Sequence, residues 1–301
     1  MNPVRKLKEI EQLVQAKEPK RVAVAYAQDE DTILAVHRAV QGKIVTATMI
    51  GDGKVIESEC RRLNIDPAEF DILDEPDEKK SGMTAVRQIV EGKAQFLMKG
   101  LISTPYYLRA ILSKEFNLIG KNDVLSHTAL FEVPTYDKLL VVSDVAMIPY
   151  PDLSQKIRMI EYNVRICKKL GIESPKVAII AANEKVSEKM PCTMEAAIIS
   201  KMAERKQIKG ALIDGPLALD VAISAHAIKV KGMKSVVEGY ADMLIMPNIE
   251  AANVFYKTVT MLANGHLAAY VTGAPWPAVL TSRADDDDSK YYSICMAALM
   301  A

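Results

Sequence analysis

The 301-residue sequence predicts an α/β protein with mainly parallel sheets flanked by helices, and three observations carry that expectation. Short β-branched runs recur along the chain. Segments of helical period lie between them, with apolar residues at i, i+3, i+4 and i+7. The runs are continuously apolar, as strands buried on both faces are, and Asp, Gly, Pro or Ser punctuates their carboxyl ends.

Taken in order, MNPVRKLKEIEQLVQAKEPK reads as an amphipathic helix. RVAVAYA and VTATMIG are strands, with the helical DTILAVHRAVQG between them, and FDILDE and FLMKG are the next strands. After FLMKG, the segment LISTPYYLRAILSKE carries the Ser-Thr-Pro signature of a helix start. Pro105 suits the first turn, Ser103 or Thr104 the cap, and Arg109 lies about one turn inside. LIGKNDVLSH interrupts the pattern near Gly120 to Val124, the expected domain break. Beyond it come the strands LLVVSD, KVAIIAA, KGALIDG and DMLIMP. LSQKIRMIEYNVRICKKLG and TMEAAIISKMAERKQ are helices among these strands. LAAYVTG and PAVLT are the last strands, and TSRADDDD then places acidic residues where a starting helix favours negative charge.

Composition excludes more than it assigns. Lysine plus arginine equals aspartate plus glutamate at 38 each, so net charge gives no argument for nucleic-acid or membrane partners. No apolar run approaches the roughly 18–20 residues of a membrane span, and the first 20 residues hold no signal-peptide core. Cys60, Cys167, Cys192 and Cys295 lack CxxC spacing and read as reduced thiols, which makes a cytoplasmic location the expectation. GDGK, Gly51 to Lys54, lacks the upstream Gly and the Ser/Thr of a P-loop, and no GxGxxG occurs. His37, His127, His226 and His266 are dispersed without HExxH or cysteine partners, so zinc has no support. His127 stands out among them because LSHTALF opens a new segment.

The basic residues at strand ends are more informative. Lys99 closes an apolar strand, and the helix start that follows it, with Arg109, makes a competent anion site. LTSRAD repeats the design with Ser282 and Arg283. A calcium loop of EF type needs Gly at its sixth position and Glu at its twelfth; neither is present after Asp285. The aspartates are therefore read as helix-start charges, and no metal is expected.

FLMKGLISTPYYLRAIL, VLSHTALFE, DGPLALDVAIS, YADMLIMPNIEAANVFYKT and PAVLTSRADDDDSKYYSI occur together, and with them the chain resembles the phosphate acetyl/butyryl transferase family nearly end to end. DGPLALD and TSRAD point to its butyryl branch. The resemblance implies two α/β domains of the isocitrate/isopropylmalate-dehydrogenase-like superfamily, residues 1–121 with 272–301 and residues 122–271, with the active site in the cleft. It implies the reaction butyryl-CoA + phosphate ⇌ butyryl phosphate + CoA. No cofactor is implied, since CoA is a substrate, and a homo-oligomer, dimer or higher, is expected. Ser282, Arg283 and Arg109 match residues around the phosphate and the reacting carbonyl. Lys99, Thr104, Ser126, His127, Asn253 and Lys257 are the substrate-binding candidates.

Two positions depart from the family pattern. An acidic residue serves as base in the acetyl branch where this chain has Ser289, which leaves Asp288, one residue earlier, as the possible base. Ala251-Ala252 stands where the family usually has Thr-Gly. Acetyl or branched-chain transfer is the alternative within the class, and a non-catalytic acyl-phosphate or CoA sensor the alternative outside it. Metal- and NAD-dependent decarboxylating dehydrogenases of the same superfamily would need metal ligands and a nucleotide loop that the sequence does not offer.

Overall fold

The structure, a computed structural model, describes residues 2–281 and 286–301. Two compact units emerge: an N-terminal unit, Leu7–Leu125 with Leu267–Ala301, and a central unit, Ser126–His266 with the residues up to Lys6.

The N-terminal unit contains α1 (Leu7–Gln15), β1 (Lys20–Ala25), α2 (Glu30–Gln41), β2 (Val45–Gly51), α3 (Gly53–Arg62), β3 (Asp71–Asp74), α4 (Glu78–Val90), β4 (Phe96–Lys99) and α5 (Thr104–Ile111). The central unit holds β5 (Ser126–Glu132), β6 (Leu140–Ser143), α6 (Leu153–Lys169), β7 (Lys176–Ile180), α7 (Pro191–Glu204), β8 (Leu212–Leu217), α8 (Leu219–Ile223), α9 (Ala225–Val230), β9 (Met243–Ile245) and α10 (Ile249–Leu262). The chain then returns through β10 (His266–Thr272), β11 (Ala278–Val279) and α11 (Asp287–Met300).

Each unit is organised around mainly parallel strands. In the N-terminal unit the order is β3-β2-β1-β4-β11-β10, parallel except for the antiparallel β10–β11 pair. The order in the central unit is β5-β6-β9-β7-β8, with only β5 antiparallel to its neighbour. All ten apolar runs form strands. Val22, Val24, Phe96, Leu97 and Met98 are fully buried, as strands covered by helices on both faces must be. Helix α11 packs on both α1 and α2, while α4 packs on α5 and β1.

The sequence reading missed β5. Its SHTALFE begins with three polar residues, yet Ser126, His127 and Thr128 are all buried. Two of them find side-chain partners: Ser126 and Ser143 share a hydrogen bond between hydroxyls at 3.0 Å, and Thr128 Oγ1 donates to Asn163 Oδ1 at 2.7 Å. A strand whose polar groups are satisfied internally loses the apolar signal that marks its neighbours.

Several helix starts carry side-chain caps that satisfy their first amides. At α6 the Asp152 carboxylate accepts from Gln155 N at 2.8 Å and Ser154 Oγ at 2.7 Å, and Gln155 Oε1 accepts from Asp152 N at 2.9 Å. The Gln155 amide first, and then the Ser154 hydroxyl, hold this carboxyl below the ordinary aspartate range. The cap therefore contributes fully above about pH 4, the unfolded value, and is lost as pH falls through the lower folded value. Asp152→Ala should lower the unfolding free energy at neutral pH by about 1 kcal/mol in urea titrations. That difference should vanish in strong acid.

Candidate functional site

In the N-terminal unit, β1 and β4 end side by side. Gly100 N donates to Ala25 O at 2.9 Å and Leu101 N to Tyr26 O at 2.8 Å. A Cβ on Gly100 would lie 2.6 Å from Tyr26 O, so only glycine allows this approach. Lys99, the last residue of β4, is buried and its Nζ donates to Gly100 O at 3.1 Å.

Helix α5 starts at Thr104, with Pro105 in its first turn. Ser103 occupies the cap position, but its side chain makes no capping bond. Its amide is instead held by Glu78 Oε1 at 2.6 Å, so a carboxylate from α4 anchors the helix start. Thr104 and Arg109 are exposed, and the Arg109 guanidinium carbon lies 5.9 Å from the centre of the Tyr106 ring. On the buried side of α5, Tyr107 Oη donates to Val279 O at 3.1 Å and ties α5 to β11. Val279 sits opposite Met98 in the parallel β4–β11 pair, so the chain leaves β11 at the end of the sheet where Lys99 lies. Ser282 and Arg283 follow and lie outside the described residues.

Within the acidic run, Asp285 lies outside the described residues, and Asp286 to Asp288 serve the start of α11. Asp286 is its N-cap and accepts from Ser289 N at 2.8 Å; Asp287 and Asp288 occupy the first turn. Asp288 pairs with Arg38 on α2 at 2.6 Å, and Lys290 with Asp31 at 2.7 Å. Ser289, which the resemblance aligns with an acidic residue of the acetyl branch, is buried and its carbonyl accepts from Ser293 Oγ at 2.6 Å. An ion-paired, half-exposed Asp288 is poorly suited to proton abstraction. Asp288→Asn is therefore expected to lower kcat less than about tenfold, well short of the loss of a general base. Steady-state assays of the folded variant check this, and a hundredfold loss would restore Asp288 as the base.

In the central unit, Ser126 and His127 open β5 and both are buried. Asn248 caps α10, its side chain accepting from Ala251 N at 2.9 Å. Ala251 and Ala252 thus fill the first turn of α10, with Ala252 fully buried. Asn253 follows, and Lys257 is one turn further on the same face, its Nζ 4.2 Å from the centre of the Tyr256 ring.

The segment after β6 joins β5 to α10. Asn253 Nδ2 donates to Val145 O at 3.3 Å, and Val145 N to His127 O at 3.2 Å. Asp144, at 2% exposure, accepts from His127 N at 2.9 Å. Sequence reasoning treated Asp144 only as strand-end punctuation. The VVSD ending of an apolar strand was the available signal, because parallel-strand carboxyl ends are where ligands sit.

Away from these residues, an open cavity of about 770 Å³ lies among α7, the end of β8 and residues 233–236. Asp214, Gly215 and Pro216 of the DGPLALD motif line it, and none of the nominated site residues does. Among the described residues, no three His, Cys, Asp or Glu side chains come together as metal ligands, and no helix is long and apolar enough to cross a membrane.

Comparison with known proteins adds to this geometry. The family model for phosphate acetyl/butaryl transferase matches residues 6–90 and 77–298. The chain is 44% identical to phosphate butyryltransferase of Clostridium acetobutylicum, over 99% of both chains. It is 42% identical to phosphate acetyltransferase of Thermotoga maritima, over 94% of this chain and 95% of that one. A crystal structure of a branched-chain phosphotransacylase from Enterococcus faecalis superposes with a TM-score of 0.83 at 28% identity, covering 93% of this chain and 98% of the other. Family match, identity and fold agree across nearly the whole length: the chain belongs to the phosphate acetyl/butyryl transferase family.

Proposed function

We propose that the protein is a phosphate butyryltransferase, interconverting butyryl-CoA and phosphate with butyryl phosphate and CoA. The observation that carries this reading is the 44% identity to the Clostridium acetobutylicum enzyme over 99% of each chain. The 42% identity to a phosphate acetyltransferase favours acetyl transfer as the second reading. One methylene in an apolar pocket is worth only about 1–3 kcal/mol, so chain-length preference is decided by pocket shape.

The chemistry is substitution at a carbonyl carbon. A phosphate oxygen attacks the thioester, the carbonyl oxygen becomes an oxyanion, and the tetrahedral intermediate collapses as the carbon–sulfur bond breaks. In reverse, the thiolate attacks the acyl phosphate and phosphate leaves. Each direction exchanges one activated acyl group for another, so no cofactor is required. Arg283 and Arg109 are assigned to the phosphate, because guanidinium groups give planar, bidentate contacts. Ser282 is assigned as oxyanion donor. Lys99, Thr104, Ser126, His127, Asn253 and Lys257 are assigned to the substrates through the family's motifs. Asp288 has no role as base in this scheme: a cationic site raises the thiolate fraction of a thiol whose ordinary pKa is about 8.5.

An isocitrate/isopropylmalate-dehydrogenase-like arrangement with the site in a cleft remains part of the proposal, carried by the sequence resemblance. So do residues 1–121 with 272–301 and residues 122–271 as the functional domains, a homo-oligomeric state and a cytoplasmic location. The last is supported by four cysteines that form no disulfide.

Release of free thiol from acyl-CoA on adding phosphate tests the reading, with acetyl-, butyryl- and branched-chain thioesters compared in one assay. The highest kcat/KM is expected with butyryl-CoA. A preference for acetyl-CoA would support the second reading, and thiol release from none would leave a sensor. EDTA-treated protein should keep full activity; loss restored by a divalent ion would overturn the metal-free scheme.

A further inference from the structure

The buried carboxylate of Asp144 is committed to three backbone amides. Oδ2 accepts from His127 N at 2.9 Å, and Oδ1 accepts from Ala146 N at 2.8 Å and Met147 N at 2.7 Å. These bonds do two jobs at once. The Oδ1 pair folds residues 144–147 into a tight corner, and the Oδ2 bond fastens that corner to the start of β5. The peptide units around it continue the connection. Met246 N donates to Ser143 O at 2.9 Å, and Ile249 N to Pro149 O at 2.9 Å, so the corner also meets the end of β9 and the start of α10. Asn253 completes it through Val145 O.

A buried carboxylate that receives three amides is a common structural device. What distinguishes this one is where its connections end. One reaches the amide of His127, and the next peptide carbonyl reaches the side chain of Asn253. The clamp therefore fixes the spacing between two residues assigned to substrate, at the carboxyl ends of the parallel neighbours β6 and β9. We infer that Asp144 is a positioning residue for acyl-CoA binding, holding His127 and Asn253 at their working separation. This inference rests on the family reading of those two residues as substrate contacts.

The chemistry of the clamp supplies a selective probe. Aspartate offers two acceptor oxygens, while asparagine offers one oxygen and an NH2 donor. In Asp144→Asn the oxygen can keep the Ala146 and Met147 amides, but the NH2 then faces the His127 N–H, donor against donor. The corner keeps its turn and loses its fastening to β5. Asn253→Ala, at an exposed position, releases the other end.

Wild-type, Asp144→Asn, Asn253→Ala and the double variant are assayed for thiol release from butyryl-CoA, with both substrates varied. Asp144→Asn should raise the KM for butyryl-CoA by about tenfold or more and leave the KM for phosphate within about twofold. Asn253→Ala should act in the same direction, and the double variant should fall short of the product of the single effects, as residues of one assembly do. A merely structural Asp144 would lower the active fraction, reducing kcat with both KM values unchanged; that result, or wild-type kinetics, overturns the inference. Should Asp144→Asn not fold, hydrogen exchange on the wild-type chain decides. Butyryl-CoA is expected to slow exchange in a peptide spanning residues 144–147, and unchanged exchange at saturation overturns the proposal. A wild-type protein that binds butyryl-CoA without releasing thiol would sink the transferase reading alone. Equal calorimetric affinity of wild-type and Asp144→Asn would then sink the positioning role.

Discussion

Ser282→Ala is expected to lower kcat by about ten- to a thousand-fold with little change in either KM, the signature of a hydrogen bond made mainly in the transition state. The carbonyl oxygen carries little charge in the thioester and a full charge in the tetrahedral intermediate, so a donor aimed at it acts selectively on the barrier. Arg283→Ala should behave differently. Phosphate is anionic throughout the reaction, so loss of the guanidinium should raise the phosphate KM as well as lower kcat. Arg283→Lys should recover only part of the loss, because a point charge lacks the planar fork. Steady-state kinetics with both substrates varied separate the two residues. A Ser282→Ala protein altered only in KM would reassign Ser282 to ground-state binding, and unchanged kinetics in Arg283→Ala would remove that residue from the site.

The largest expected effect on stability lies in the central unit, at a pair unconnected with the proposed chemistry. Lys138 and Asp242 are both buried, with Nζ and Oδ1 2.6 Å apart. Lys138 Nζ also donates to Tyr240 O at 2.8 Å and lies 3.6 Å from the centre of the Tyr240 ring. Asp242 Oδ2 accepts from Lys176 N at 2.7 Å, so the aspartate links the start of β7 to the approach to β9. Burial pushes the Lys138 ammonium below the ordinary lysine range, and the bond to Asp242 opposes that shift. Removing one partner leaves the other charged and enclosed. Lys138→Met should therefore destabilise the protein by about 3–5 kcal/mol in urea unfolding. Lys138→Met combined with Asp242→Leu should recover much of the loss, since no charge then remains buried. A double variant as unstable as the sum of the singles would show that the lost hydrogen bonds, rather than the stranded charge, set the effect.

The contrast between β4 and β5 explains what the sequence could disclose. FLMKG is apolar to its last residue, and its strand, buried Lys99 and following helix start could all be read in one pass. β5 hides Ser126 and Thr128 against Ser143 and Asn163, residues 17 and 35 positions away in the chain, and no local pattern records such partners. The same distance effect governs the site. The Ser-Thr-Pro start of α5 was legible, but its anchor, Glu78, sits on another helix. Helix-start aspartates were legible as a class. Which of them caps and which pairs with Arg38 depends on how α11 packs on α2. Asp144 escaped a functional reading because its importance lies in three backbone amides, which have no signature in side-chain identity.

The strand order β3-β2-β1-β4 has a consequence for how the N-terminal unit meets small molecules. From β1 the chain proceeds outward to β2 and β3, then crosses back to place β4 on the other side of β1. The helix after β1, α2, joins the layer of α1 and α11, and the helix after β4, α5, joins α4. The two connections run together as far as Tyr26 and Leu101, whose main chains share a hydrogen bond, and then part, one leading to α2 and the other to α5. In open α/β sheets a topological switch point of this kind is where ligands sit, and here the ends of the two strands, Ala25 and Lys99 with Gly100, are themselves buried. Lys99 and the start of α5 stand beside that switch point because of winding order. Loop sequences could change there, and the switch point would persist for as long as the chain is wound in this sense.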